Sequence, residues 1–378
     1  MSGLVPPKSP NLGFGNMRMP KLEDGTPDKE TIFKMIDTYL AHGYNYFDTA
    51  HIYGGSEEML KLALVDRYPR DRYFITTKLY LGDCECEEDM MKQFETSRER
   101  LGLDQLDMYF LHGLDLDTEE KVARFHAFDF LRSLRDRGLT KHIGFSFHGT
   151  PDLLEKLLSE NPDVELVQLQ LNYLDWDDKQ VQARRCYETA RAHGVMISVM
   201  EPCKGGLLAG GDMTAAQILL EAQPETSVAS WAFRFVAGHE GIYAILSGMC
   251  SPEQVEDNCN TFDHYQPLTE DEMAVIHKVV ETLNDIPGVP CTNCQYCMGG
   301  CPQGLNIPYF MKEYNAMVRF RNLPVTRHSY KMMCLSQKPA SECIECLSCE
   351  GRCPQHIQIT KVLKEVVAQL QVDGEDEE

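Results

Sequence analysis

No stretch of this chain approaches the ~18 consecutive apolar residues that a membrane-spanning helix needs, so a helical membrane protein is not expected. The N-terminus, MSGLVPPKSPNLGFG, has neither a basic opening nor an apolar segment behind it. No secretory leader is read there, and the expected location is the cytoplasm. Positive charge is in deficit, with 36 Lys and Arg against 58 Asp and Glu and a net charge of -22. Such a surface repels phosphate backbones and anionic lipid, which removes non-specific nucleic-acid and membrane binding from the candidate functions. Also missing are a GxGxxG motif opening a helix after a first strand, which an open dinucleotide-binding sheet requires, and any recognisable flavin motif.

What is present is an ordinary globular composition, 43% hydrophobic and 25% charged, in a chain of 378 residues. That length exceeds one usual core and suggests one large domain with something smaller attached. Short apolar runs recur through the first two thirds of the chain: NLGFGNM (11–17), YNYFDTA (44–50), YFITTKL (73–79), LDMYFLHG (106–113), KHIGFSFH (141–148), VELVQLQLNY (164–173), VMISVMEP (195–202) and IYAILSGM (242–249). Helical patterns fill the gaps, such as 31–43, 88–102 and 179–194, the last two closing on glycine. Strands alternating with helices imply a parallel sheet, and eight such units imply a closed (β/α)8 barrel rather than an open doubly wound sheet. One more helix is expected at 272–284, after which DIPGVP (285–290) breaks the chain. The composition changes there, so the expected division is a barrel over 1–285, a smaller domain over 286–372 and an acidic tail at 373–378.

Intracellular chains seldom keep disulfides, so fifteen cysteines argue for metal binding. Eight of them fall in two runs, CTNCQYCMGGCP (291–302) and CIECLSCEGRCP (343–354). Each reads C-x2-C-x2-C-x3-C-P, the run in which three thiolates hold one [4Fe-4S] cluster and the fourth reaches across to the other. On that rule Cys291, Cys294, Cys297 and Cys353 hold one cluster, and Cys343, Cys346, Cys349 and Cys301 the second. Structural zinc is the competing reading, but it favours two separated pairs of ligands over four thiols in eleven residues. The 41 residues between the runs include a helical pattern at 307–320, which points to a small, mostly helical two-cluster ferredoxin-like domain. The other seven cysteines lack ligand spacing and read as small hydrophobes.

In the barrel, Asp48 and Tyr53 lie just past the second expected strand, Lys78 closes the third and His112 the fourth. All four are thereby expected at the carboxyl ends of consecutive strands, the face on which such barrels do chemistry. Singly each has a plain structural explanation; together they divide a task. A tyrosine protonates a developing alkoxide, an ammonium lowers its pKa, an aspartate holds the ammonium, and a histidine orients a carbonyl.

With LGFGNMRMP (12–20), DTAHIYG (48–54), Lys78, LHG (111–113), MEPCKGG (200–206) and SGMCSPEQVEDN (247–258), the chain resembles an aldo-keto reductase carrying a C-terminal ferredoxin-type domain. The resemblance implies Tyr53 as general acid/base, Lys78 as its tuner, Asp48 as partner of Lys78 and His112 as the carbonyl-orienting residue. It further implies a nicotinamide cofactor, NADP(H) or NAD(H), over the barrel mouth. Ser146 and Gln168 would meet the carboxamide, Met200 would cover the ring, Lys204, Gly205 and Gly206 would approach the pyrophosphate, and Gln254 and Asn258, with Asp257, would face the adenosine end. The chain departs from the family at Phe147, where relatives often carry Asn, and at Met200, often aromatic. Gly248 and Gln254 stand where basic residues usually grip the 2′-phosphate, so the pattern does not choose between the two nucleotides.

Hydride comes as two electrons and a cubane cluster passes one, so the two halves have no evident shared circuit. Three readings follow. The first is an NAD(P)H-dependent reductase of a small carbonyl, or dehydrogenase of the alcohol, linked through its clusters to a redox partner such as a ferredoxin. The second is an iron-sulfur electron carrier or redox sensor on a nucleotide-binding barrel. In the third the clusters only staple a small domain. Four filled catalytic positions favour the first.

Overall fold

The computed structural model describes residues 8–179, 181–210 and 214–371, so the acidic tail at 373–378 lies outside the described residues. Eight strands, β1 (Leu12–Gly15), β2 (Tyr46–Asp48), β3 (Phe74–Leu79), β4 (Leu106–Leu114), β5 (Thr140–Phe147), β6 (Leu166–Gln170), β7 (Met196–Met200) and β8 (Ile242–Ser247), form a closed barrel in sequence order. Every pairing is parallel, including the β1–β8 pairing that closes the ring. The strands are buried on both faces, which is why they read as nearly unbroken apolar runs rather than as alternating ones. Tyr46, Met108, Phe110, Leu166 and Tyr243 fill part of the barrel interior. Gly144 belongs there because a Cβ would run into the Leu166 carbonyl and the Phe110 ring.

Between and after the strands in sequence come α1 (Lys29–Ala41), α2 (Ser56–Leu60), α3 (Glu87–Leu101), α4 (Glu119–Arg124), α5 (Ala127–Asp136), α6 (Pro151–Glu160), α7 (Ala183–Ala192), α8 (Thr214–Ala222), α9 (Val228–Ala237) and α10 (Pro252–Asp263). Their starts follow capping chemistry. Asp28, Thr150 and Ser251 each accept a first-turn amide, and proline opens both α6 and α10. The helix expected from 179 begins instead at 183. Asp178 accepts the Val181 amide at 2.9 Å and Gln182 sits at φ 52°, so a turn occupies the residues before it.

Contacts divide the chain into two compact units, one running up to Lys204 with Ala229–Leu268, the other comprising Gly205–Val228 and Thr269 onward. The second unit therefore takes in α8 and α11 (Glu270–Asp285), joined by a hydrogen bond from Gln223 Nε2 to Glu272 Oε1 at 2.6 Å. Thr269 and Glu272 cap α11 reciprocally. Beyond it come α12 (Ile307–Phe320), α13 (Leu323–Cys334) and α14 (Ile359–Leu370), packed around Leu305, Phe310, Met311, Tyr330, Leu363 and Val366. Within this unit Asn322 Nδ2, at the start of α13, donates to the carbonyls of Gly206 and Gly210, both at 3.4 Å.

Candidate functional site

β2 ends on Asp48, β3 carries Lys78, β4 carries His112, and the turn after β2 carries Tyr53. Lys78 Nζ donates to Asp48 Oδ1 at 2.6 Å and to the Thr49 carbonyl at 2.7 Å, with no part of Lys78 exposed. Burial pushes the Asp48 carboxyl up and the Lys78 ammonium down, each toward its neutral form, and their mutual contact opposes both shifts. Lys78 Nζ lies 5.3 Å from the centre of the Tyr53 ring. The phenol is nevertheless driven above its usual pKa, by enclosure first and by the Asp48 charge second. Asp48, the second cause, itself sits 2.6 Å from the Lys78 ammonium. Tyr53 holds its proton through neutral pH, the state a proton donor needs.

The Tyr53 and His112 rings meet edge to face at 5.6 Å, and Tyr80 meets His112 at 6.0 Å. His112 is neutral, its pKa pulled down to about 3 by enclosure and then by the Lys78 and His148 charges. Its Nδ1 is buried without a hydrogen-bond partner among the described residues. A group in that condition is incomplete, since buried polar atoms are nearly always paired.

Gln168 Nε2 donates to Asp48 Oδ2 at 3.2 Å, which brings a residue expected at the cofactor into the catalytic cluster as well. Ser146 Oγ accepts the Gly113 amide at 2.7 Å, one residue from His112, and keeps its own proton to donate. Met200 closes β7, half-buried. Lys204 Nζ is bound to the buried Asp175 at 2.6 Å, and Gln170 and Asn172 donate to the other oxygen of the same carboxylate. Lys204, Gly205 and Gly206 follow with φ of 47°, 67° and 100°, a left-handed run that glycine tolerates and that turns successive amides the same way. Asn258 Nδ2 donates to Ser247 Oγ at 2.9 Å, while Gln254 Oε1 accepts the Cys250 amide at 2.7 Å, so both are engaged in the turn after β8.

In the second unit the eight cysteines of the two runs surround two cavities. One is lined by Cys291, Cys294, Cys297 and Cys353; the other by Cys343, Cys346, Cys349 and Cys301. Three thiols of one run and the last of the other thus meet at each. Among the described residues no three His, Cys, Asp or Glu side chains converge as a single metal ion would need. Asn293 and Gln295 flank Cys294 at φ 55° and 62°, and Glu345 and Leu347 flank Cys346 at φ 56° and 60°. Such left-handed pairs form amide-lined concavities of the kind that hold anionic iron-sulfur groups. The Leu305 amide donates to Cys301 Sγ at 3.4 Å. With four thiols gathered at each site, the residues fit two cubane clusters in donor type and number.

Residues 11–281 match the model of the aldo/keto reductase family, and residues 290–357 match that of the 4Fe-4S dicluster domain. The chain belongs to the aldo/keto reductase family. As a member it is 29% identical to aldo-keto reductase str7 of Strobilurus tenacellus over 53% of its own length and 60% of that relative's. It is 26% identical to the D-galacturonate reductase of Fragaria ananassa, covering 70% of this chain and 84% of that one. Among solved structures, an aldo/keto reductase from Klebsiella pneumoniae in complex with NADP and acetate superposes with a TM-score of 0.58 at 23% identity, over 73% of this chain and 92% of the other. At that identity the likeness speaks for the barrel alone.

For this aldo/keto reductase, sequence reasoning missed three polar residues that the fold recruits. Glu57, 1% exposed, accepts from Thr77 Oγ1 at 2.6 Å and from Arg100 Nη1 at 3.3 Å, and Arg100 also donates to the His51 carbonyl at 3.0 Å. This clip ties down both sides of the turn that carries Tyr53. Asp175, the anchor of Lys204, was passed over in a run of acidic residues. Arg18 reaches the turn after β8 from the other end of the barrel sequence. Nothing in local spacing marks these residues, because their partners are distant in sequence.

Proposed function

We propose that the chain reduces the carbonyl of a small molecule with NADPH or NADH, and that it carries two [4Fe-4S] clusters which exchange electrons with a separate redox partner such as a ferredoxin. The reductase would occupy 1–285 and the cluster domain 286–372, ahead of the acidic tail, in a cytoplasmic protein. The observation that carries this reading is the edge-to-face contact of a neutral His112 with the protonated phenol of Tyr53, beside a buried Lys78–Asp48 pair. The histidine orients the substrate oxygen, and Tyr53 gives up its proton to that oxygen as negative charge develops there. Asp48 keeps Lys78 in place, and Lys78 stabilises the phenolate left behind. A nicotinamide held by Ser146, Gln168 and Met200 supplies the hydride, with Lys204, Gly205 and Gly206 toward its pyrophosphate and Gln254 and Asn258 toward its adenosine. When bound, the clusters supply one-electron transfer, held by Cys291, Cys294, Cys297 and Cys353 on one side and Cys343, Cys346, Cys349 and Cys301 on the other.

The test is steady-state loss of NADPH or NADH absorbance against a panel of aldehydes, ketones and quinones, repeated with Tyr53→Phe. Positioned acid–base groups contribute ~10² to 10⁴ in rate, so the variant should lose activity on that scale while nucleotide binding is nearly kept. A wild-type rate in Tyr53→Phe would refute the assignment and shift weight to an electron carrier built on an idle barrel.

A further inference from the structure

The two cysteine runs are halves of an internal duplication. At a constant offset of 52 residues, Cys291, Cys294, Cys297 and Cys301 correspond to Cys343, Cys346, Cys349 and Cys353, and CPQGLNIP (301–308) corresponds to CPQHIQIT (353–360) behind them. The structure keeps this correspondence. Pro308 lines the first cavity and its counterpart Thr360 the second, Cys297 and Cys349 are 8% and 6% exposed, and the left-handed residues beside Cys294 recur beside Cys346. Thiolate number, burial and backbone cradle are therefore alike on the two sides, and these help to fix the reduction potential of a cluster.

Charge is not alike. Met298 in the first half stands where the second has Glu350, and Asn293 where the second has Glu345. Glu345 is matched by Lys364, 2.7 Å away at the surface, so that pair adds little. Glu350 has no ion-pair partner among the described residues. Its Oε1 accepts the Thr360 amide at 2.8 Å and the Thr360 hydroxyl at 2.6 Å. Thr360 is both the second residue of α14 and a wall of the second cavity. The carboxylate is thus fixed one residue behind that wall, half-buried, at a helix start that favours its charge. In the first half Pro308 has neither amide proton nor hydroxyl to offer, and Met298 carries no charge.

The neighbouring groups do not cancel this difference. Lys312, the counterpart of Lys364, has neutral Asn293 at the position of Glu345. Lys361 follows Thr360 but is exposed, where water and salt screen it. Arg352, the one cation inside either run, lies across its own counterpart, Gly300, with Cδ and Nε each 2.6 Å from where a Cβ would stand. It borders Cys353 of one ligand set and the neighbour of Cys301 of the other, so it favours reduction on both sides. The Leu305 amide, 3.4 Å from Cys301 Sγ, favours reduction at the second site, but a long contact from a neutral dipole is weaker than a full charge.

We propose that Glu350 makes the two clusters unequal, so that the one at Cys343, Cys346, Cys349 and Cys301 has the lower reduction potential and a single electron comes to rest on the one at Cys291, Cys294, Cys297 and Cys353. This rests on the two-cluster reading given above. At the effective dielectric of a protein surface, one carboxylate beside the second site shifts the sharing of that electron roughly tenfold toward the first, about 59 mV for one electron. The transfer moves one electron and no atoms: the second cluster is oxidised as the first is reduced, and an external one-electron donor supplies the electron. An electron donated at the second cluster therefore runs downhill to the first.

The experiment is an anaerobic redox titration of the full chain with dithionite and mediators, after iron and sulfide analysis, following visible absorbance and the paramagnetic signal. Two one-electron waves should appear, about 59 mV apart or more. Glu350→Gln keeps an oxygen for the Thr360 donors and removes the charge, so it should raise the lower wave, leave the upper in place and close most of the gap. Glu350→Met, which installs the residue of the first half, should do the same. In Cys353→Ser, which removes a ligand of the first cluster, the survivor should titrate close to the lower wild-type potential. A single wave in the wild type, a gap that neither Glu350 variant moves, or a survivor at the upper potential overturns the proposal while the two-cluster reading stands. Loss of the second cluster in both Glu350 variants makes that residue a structural cap and overturns its role as well. Protein without iron and sulfide overturns the two-cluster reading itself, and clusters that no donor reduces overturn both the proposed order and the exchange of electrons with a partner.

Discussion

Lys78 is completely enclosed and still carries two hydrogen bonds, to Asp48 and to the Thr49 carbonyl, which is the usual condition for tolerating an ammonium inside a protein. Its counter-charge also explains the behaviour of its neighbours. Asp48 offsets the ammonium as seen by Tyr53, so the phenol stays protonated, while His112 feels enclosure together with residual positive potential and stays neutral. The histidine has a consequence for acid stability. Its pKa falls from 6.5 in the unfolded chain to about 3 in the folded one. Between those values the unfolded chain binds the proton and the folded one does not, so stability is complete above pH 6.5 and is lost as pH falls toward 3, by up to ~1.4 kcal/mol per pH unit. Denaturant midpoints of wild type should therefore drop between pH 7 and pH 5, and His112→Gln should flatten part of that drop. An unchanged slope in the variant would mean that His112 is not held neutral. The loss of Asp263's contribution is no substitute, since its carboxylate is lowered to about 2 and would be felt only well below pH 5.

At the scale of elements, each strand centre was legible because a parallel barrel strand is buried on both faces and shows as an apolar run. The ends were less so: 44–50 shrinks to Tyr46–Asp48 and 164–173 to Leu166–Gln170, where turn hydrogen bonds replace ladder ones. The helix at 307–320 was placed to the residue, having an Asn306 cap, proline next to its start and an amphipathic repeat. The neighbouring α13 and α14 were not anticipated, although Asn322 caps the first in the same way. Their apolar faces only make sense once the cysteine runs between them are folded against Tyr330 and Leu363. The ligand runs themselves were legible because cubane ligation compresses three donors into seven residues. Arg18, Glu57 and Asp175 were not, since each is defined by a partner brought close only by folding. The crossed arrangement of fourth thiols gives a prediction at this scale. Cys353 lines the cavity of Cys291, Cys294 and Cys297, not that of its own run. Cys353→Ser should cost one cluster of two, leaving about four irons, with the surviving signal removed by a further change at Cys343 rather than at Cys291. Loss of both clusters upon Cys343→Ser alone, with Cys353 intact, would contradict that pairing.

At the scale of the whole molecule, the charge is unevenly placed. The chain carries 36 basic against 58 acidic residues, yet 286–371 holds nine Lys and Arg against five Asp and Glu. Two oxidised clusters with their eight thiolates carry about -4 and cancel that excess of four, so the cations around them favour the reduced, more negative state of the clusters. The barrel, on the function proposed above, moves two electrons together as hydride, and no recognisable flavin motif is present to split them. Two circuits in one chain follow from this, each with its own donor. Under anaerobic conditions dithionite or a reduced ferredoxin should bleach the visible absorbance of the clusters and produce a paramagnetic signal, while NADPH alone should not, even as it reduces substrate at the barrel. Rapid bleaching by NADPH in flavin-free protein would end the separation of circuits and require a converter between hydride and single electrons. Clusters that neither donor reduces would instead be thiolate staples, for a unit whose core around Phe310, Tyr330 and Val366 is small. The outcome therefore turns on reducibility rather than on turnover, because a structural cluster and an electron-transferring one both leave the barrel's hydride chemistry intact.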